Sequence, residues 1–347
     1  MNKLIFVILL SLSSSIFAHK SVVVIPLGGD ASEPLHNVIR VSKSNGDFKT
    51  LNLALASINN AGDASVSNPY LVVLGPGTYT EGPLNIPAHV SISGSGRGIT
   101  TLFFPDNQIG LPSLLMREGY VNLNNLSIQI ESPANPSSLF LINETNRTED
   151  EDRFDIFEPV SLRAVDLRIF SSSERTPQTI FAVKNALELT DVELNFDRAM
   201  TLIDQSDLSK ITINSSNFFG YFGGANVDLL KGSNNYAKIK DLNITYFNLL
   251  STFINFTRPR EVRIDDSSMT TNRTVSPLRF DFSQGSGFVR IRNSRMDAIE
   301  LIQSQGRGES VIIEHSILNE TLQAPSRILR CFQVVHYNTY ANTCTPN

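Results

Sequence analysis

The residues able to do chemistry are sparse and scattered. Asp265-Asp266 is an adjacent acid pair, and acid–base work needs two carboxyl groups held in different environments. Neighbouring residues of a strand point to opposite faces, however, so this pair does not converge. Asp228 and Asp241 could serve as an alternative pair only if the fold joined them. His315 reads as a turn residue ahead of a general base. The acidic run from Asn143 to Asp152 offers oxygen ligands for calcium, but it lacks the spaced pattern of a calcium loop and reads as a solvated loop. These groups yield no catalytic residue, no metal set and no cofactor.

The aromatic residues are the better lead. Phe218, Phe219, Tyr221 and Phe222 are followed about 25 residues on by Tyr246 and Phe247, one repeat of the pattern described next. Exposed rings stack on sugars, whereas rings aligned inside a fold are core. The core reading is the plainer one for the cluster as a whole. Phe219, Tyr221, Phe222, Tyr246 and Phe247 are the candidate glycan-binding set if that flank is exposed.

The elements that must position these groups come from one recurring pattern: apolar, any, apolar, any, Asx-like, any, any, apolar. It reads Val121-Asn-Leu123-Asn-Asn125 and Leu162-Arg-Ala164-Val-Asp166, then Leu187-Glu-Leu189-Thr-Asp191 and Ile211-Thr-Ile213-Asn-Ser215. It continues through Ala237-Lys-Ile239-Lys-Asp241, Val262-Arg-Ile264-Asp-Asp266, Val289-Arg-Ile291-Arg-Asn293 and Val311-Ile-Ile313-Glu-His315, with an early member at Val90-Ser-Ile92-Ser-Gly94. A beat of about 25 residues with two-residue alternation predicts a stacked parallel β-helix, because a single short coil cannot bury its own apolar face. Leu123, Ala164, Leu189, Ile213, Ile239, Ile264, Ile291 and Ile313 should form one buried ladder. The Asx-like position marks a bend, where Asn and Asp bond nearby backbone and accept left-handed geometry. That accounts for much of the 31 Asn, and it makes the eight sequons (Asn125, Asn143, Asn146, Asn214, Asn243, Asn255, Asn272 and Asn319) read mostly as bend chemistry.

Composition narrows the function classes. A net charge of −5 with no basic helix or paired-Cys zinc pattern excludes a general nucleic-acid binder. Lys3, the apolar run Leu4 to Leu10 and Ala18 read as an export signal over residues 1–18, with no membrane span after its cleavage. The expected location is secreted or periplasmic. In such a compartment Cys331 and Cys344 should close a disulfide across the tail, stabilising by about 3 kcal/mol. The expected division is signal 1–18, extension 19–44, cap and first coil 45–100, coils 101–322 and stapled C-terminal cap 323–347.

An open solenoid end needs a cap. Asp47-Phe48-Lys49-Thr50 leads into helical spacing at Leu51, Leu53, Leu55 and Ile58, followed by Tyr70-Leu-Val-Val-Leu74, Gly75-Pro-Gly-Thr-Tyr79 and Gly94-Ser-Gly96. Over residues 45–100 this order resembles the pectinesterase-like branch of the pectin-lyase superfamily. The resemblance implies a right-handed parallel β-helix. It also implies a methyl-ester hydrolase using two aspartates, an oxyanion-holding glutamine and an orienting arginine. The matching positions here are Phe222 and Gly223 for the glutamine and an aspartate, and Leu249 or Thr252 for the second aspartate. Thr257-Arg258-Pro259-Arg260 is a partial echo of the arginine motif, placed too early. Phenylalanine donates nothing to an oxyanion, and leucine or threonine is no carboxylate.

The expectation is therefore a secreted, non-catalytic, all-β, right-handed parallel β-helix with a capping helix, partnered by a polysaccharide or surface glycan. The alternatives are a diverged pectinesterase-like or other polysaccharide-processing enzyme, and a self-assembling fibre-like component.

Overall fold

The computed structural model describes residues 37–105, 112–117, 119–131, 138–142, 159–170, 179–197, 201–206, 209–220, 228–246, 252–271, 277–283, 285–302, 310–318 and 329–336. The expected export signal, the Asn143–Asp152 run, Tyr221, Phe222, Phe247 and Cys344 lie outside the described residues.

The chain winds into a right-handed parallel β-helix with three faces. In one coil, Val121–Glu131 runs along the first face, bends at Asn125 and continues along the second, and Ser138–Ile142 forms the third. Backbone pairing skips the bend residue and resumes beyond it, and the first two faces together make one sheet of 18 described strands. The third face is a separate sheet of nine. The strand pairings are parallel, coil on coil.

The bend is where the repeat meets backbone physics. Asn125, Ala164, Asp191, Ser215, Asp241, Asp266, Asn293, His315 and Gln333 all take φ between 47° and 57°, the left-handed region that Asn and Asp tolerate best. Gly94 holds its place for another reason. A Cβ there would lie 2.5 Å from the Asn125 carbonyl and 2.7 Å from Leu126 Cβ, so close stacking demands glycine.

Immediately after the bend, Ser216, Ser267, Ser294 and Ser316 are buried. Each hydroxyl accepts from an amide of the preceding coil (Val192, Leu242, Ser267 and Ser294) at 3.1–3.2 Å. Each also donates to a carbonyl two residues back in its own coil at 2.7–2.8 Å. The bend turns these amides away from the sheet ladder, and the serines satisfy them.

The inward ladder runs Val72, Ile92, Leu123, Leu162, Leu189, Ile213, Ile239, Ile264, Ile291, Ile313, and every member has no exposed surface. One expected rung is corrected. Leu162, not Ala164, pairs with Leu123 and Leu189, and Ala164 is that coil's bend. Asp166, expected at the bend, instead lies beyond it and pairs with Arg168 at 2.9 Å. The Val160–Phe170 strand therefore begins two residues earlier than the pattern suggested, because Val160 is the partner of Val121.

At the N-terminal end the helix Leu51–Ala61 buries Leu51, Ala54, Leu55 and Ile58, while Leu53, expected inside, is 56% exposed. Thr50 caps it, its hydroxyl accepting from the Leu53 amide. The buried Glu81 carboxylate accepts from the amides of Leu51 at 2.7 Å and Asn52 at 3.3 Å. Burial pushes the Glu81 carboxyl above its ordinary range, against the pull of those two amides. Asn37–Val41, within the expected extension, is already a strand of the sheet and pairs with Tyr70–Leu74. At the other end Cys331 stacks on Ile313 and is not a free thiol.

Candidate functional site

Two outer surfaces hold the residues singled out by the sequence. On the second face, strand parity divides the Phe218-Phe219 dipeptide. Phe218 is buried between Leu194 and Ile244, while Phe219 is 48% exposed in an outward row between Asn195 and Thr245. Phe170, which the sequence reading missed, is 47% exposed on the same face. It lies two coils before Phe219 and one two-residue step along the strand, roughly 12 Å away by ordinary strand spacing and rise. The Tyr246 backbone pairs with Gly220, in the register row of the buried Phe196 and not in the outward row of Phe219. A Cβ at Gly220 would strike the Phe196 ring at 2.5 Å, so glycine makes room for an inward aromatic.

On the third face, one outward row runs Ala182, Asp204, Lys231, Asn255, Arg279, Glu300 on successive coils. Asp204 and Lys231 pair at 3.0 Å. The Asp228 carboxylate accepts from the Asn255 amide at 2.8 Å and from the Thr252 hydroxyl. Arg279 Nε is buried without a hydrogen-bond partner. Asp228 and Asp241 do not meet, since Asp241 is the bend residue between the first and second faces while Asp228 opens a third-face strand. Asp266 and His315 are likewise bend residues. Among the described residues no group of three or more His, Cys, Asp or Glu could hold a metal ion.

No protein-family model and no curated protein matches the chain. Among solved structures it is similar to a pectin methylesterase from Aspergillus niger, 11% identical at a TM-score of 0.43, covering 91% of this chain and 90% of that one. It is also similar to pectin methylesterase from carrot, 10% identical at a TM-score of 0.40, over 90% of this chain and 86% of that one. A third is the A-module of the Azotobacter vinelandii mannuronan C-5 epimerase AlgE4, 12% identical at a TM-score of 0.32, over 85% and 95%. The likeness carries no conclusion about chemistry.

The site's own groups set what it can do. Of the positions matched to a carboxylate chemistry, Phe222, Gly223 and Leu249 lie outside the described residues, and Thr252 serves as a donor to Asp228. Arg258 sits in a turn at φ 53°, and the Arg260 guanidinium donates to Asn234 at 2.7 Å. The described partners of Asp228 are an amide and a hydroxyl, which suit holding a carboxylate in place or a hydroxylated ligand. A nucleophile and its acid partner would require a second carboxyl group there.

Proposed function

We propose that the protein is a secreted or periplasmic, non-catalytic β-helix that binds glycan on its second face, with Phe219 as the stacking platform. The observation that carries this reading is the outward Phe219 ring on a flat sheet, flanked in its row by the Asn195 carboxamide and the Thr245 hydroxyl. A ring face stacks on the C–H face of a sugar while carboxamides and hydroxyls bond its hydroxyl groups. Phe170 extends the platform. Export is supported by the residue 1–18 pattern, and no helix among the described residues is long and apolar enough to cross a membrane.

The test is binding of the purified protein to a panel of neutral polysaccharides, by affinity electrophoresis, with Phe219→Ala and Phe170→Ala beside the parent. Loss of one stacking ring should weaken binding about tenfold. Absence of binding across the panel, or binding indifferent to both substitutions, overturns the reading.

A second reading, a diverged ester hydrolase, is favoured by one observation: Asp228 held between Thr252 and Asn255 on the third face. Methanol release from esterified pectin, abolished by Asp228→Asn, would establish that reading instead.

A further inference from the structure

The first face changes character along the helix. From the strand Lys210–Gly220 to the strand Leu329–Phe332 its outward positions hold Lys210, Lys238, Lys240, Arg263, Arg290, Arg292 and Arg330 against only Glu261, Asp265 and Glu314. The three carboxylates are each taken: Glu261 by Arg263 at 2.5 Å, Glu314 by Arg290 at 2.8 Å and Asp265 by Arg292 at 3.0 Å. Lys210, Lys238, Lys240 and Arg330 remain exposed with no ion-pair partner among the described residues. This surplus belongs to a chain whose net charge is −5, so it is a local concentration and not a general bias.

We propose that this stripe is a second binding site, for an acidic polysaccharide lying along the helix axis. The coil register puts Lys238, Arg263 and Arg290 directly above one another. Parallel stacking sets these three about 4.8 Å apart in one file, Arg263 and Arg290 also holding carboxylates, with the unpaired Lys210 and Lys240 in the rows on either side. A polymer with one acidic group per sugar offers a matching single file of anions. Duplex DNA offers phosphates about every 3.4 Å on each of two strands wrapped around a cylinder, which a flat single row meets poorly. Beside the cations, Tyr236 is half-buried in the neighbouring outward row, next to Lys210, and its hydroxyl accepts from Arg260 at 3.3 Å. It supplies a ring against which a sugar can rest. On the other side the exposed bend carboxylates Asp241 and Asp266 border the stripe and repel an anion from the ridge, which confines the ligand to the face.

The inference shares with the proposed function only the premise that the protein meets glycans, since the site uses none of the second-face aromatics. The experiment compares dextran sulfate with uncharged dextran of equal length, a pair differing only in acidic groups. The parent should bind dextran sulfate and not dextran at this face, with affinity falling steeply as salt is raised. Lys238→Glu combined with Lys240→Glu should weaken that binding about tenfold or more with an unchanged far-ultraviolet circular dichroism spectrum, because both side chains are exposed. Phe219→Ala should leave it within about twofold. The proposal is overturned if the double variant binds dextran sulfate as the parent does. It is equally overturned if duplex DNA or phosphatidylglycerol vesicles bind as tightly as dextran sulfate, which would make the stripe a general polyanion or membrane surface. Failure of the Phe219 test with neutral glycans leaves this result standing, so the two readings can fail separately.

Discussion

Arg97 and Asp191 form an ion pair at 2.9 Å although 94 residues separate them in sequence. Arg97 lies in the turn that follows Gly94, and Asp191 is the bend residue three coils further on. The ridge positions between them are Asn125 and Ala164. The single methyl group of Ala164 keeps that stretch low enough for a long side chain to pass. Asp191 is exposed and Arg97 partly so, and the pair itself adds only about 0–1 kcal/mol.

Ala164 is thus small for a reason and strained for a reason. At φ 51° an L-residue costs about 1–2 kcal/mol, and glycine would relieve this while adding about 0.5–1 kcal/mol of unfolded-state entropy. Ala164→Gly should lie within about 1 kcal/mol of the parent, whereas Ala164→Val should lose more than about 2 kcal/mol. Denaturant midpoints decide this, and equal tolerance of both substitutions would contradict the bend assignment.

The inward ladder makes a sharper prediction. Ile264 is fully buried between Ile239 and Ile291. Ile264→Val should cost about 0.5–1.5 kcal/mol, while Ile264→Asp buries an unpaired carboxyl and should unfold the neighbouring coils. Hydrogen exchange would show the loss of protection spreading to the strands of the adjoining coils.

Ser294 tests the serine ladder. Ser294→Ala removes the acceptor for the Ser267 amide and the donor to the Arg292 carbonyl. Leaving a buried amide unpaired should cost about 1–3 kcal/mol, visible as a lowered thermal midpoint. An unchanged midpoint would mean that the hydroxyl satisfies nothing essential.

Glu81 links the cap to pH. Its folded-state proton affinity is raised, chiefly by burial, so the folded protein favours the protonated acid. Its contribution is complete below the ordinary carboxyl value of 4.5 and is lost as pH rises through the raised folded value. Glu81→Gln, which stays neutral and still offers an acceptor to the Leu51 amide, should remove that part of the pH dependence. Denaturant midpoints of parent and variant measured on both sides of that window should converge at low pH and separate above it, with Glu81→Gln the more stable at neutral pH.

The tail staple is the last expectation to check. Cys331 is not a free thiol, and Cys344 is the other cysteine of the chain. Intact mass after alkylation without reductant should show no added label, and two labels would refute the staple.

The sequence alone determined what depends on local chemistry. Two-residue alternation told which residues of Leu187-Glu-Leu189 or Ala237-Lys-Ile239 face inward, and the Asx-like residues marked bends because few side chains accept positive φ. Thr50 and the glycine at residue 62, the latter at φ 67°, close the two helix ends by equally local chemistry. What escaped the sequence depends on neighbours. Val160-Ser-Leu162-Arg-Ala164 and Leu162-Arg-Ala164-Val-Asp166 alternate equally well, and only stacking on Val121 and Leu123 selects the first. Third-face strands such as Thr252–Thr257 carry three buried residues in succession, which hides their alternation. Whether a given Phe or Lys becomes part of a surface is likewise decided by the rows that coils far apart in sequence bring together: Phe219 beside Asn195 and Thr245, Lys238 beside Arg263. A solenoid's interior is written in each repeat, but its surfaces are assembled from one residue per coil, and that juxtaposition exists only once the coils are stacked.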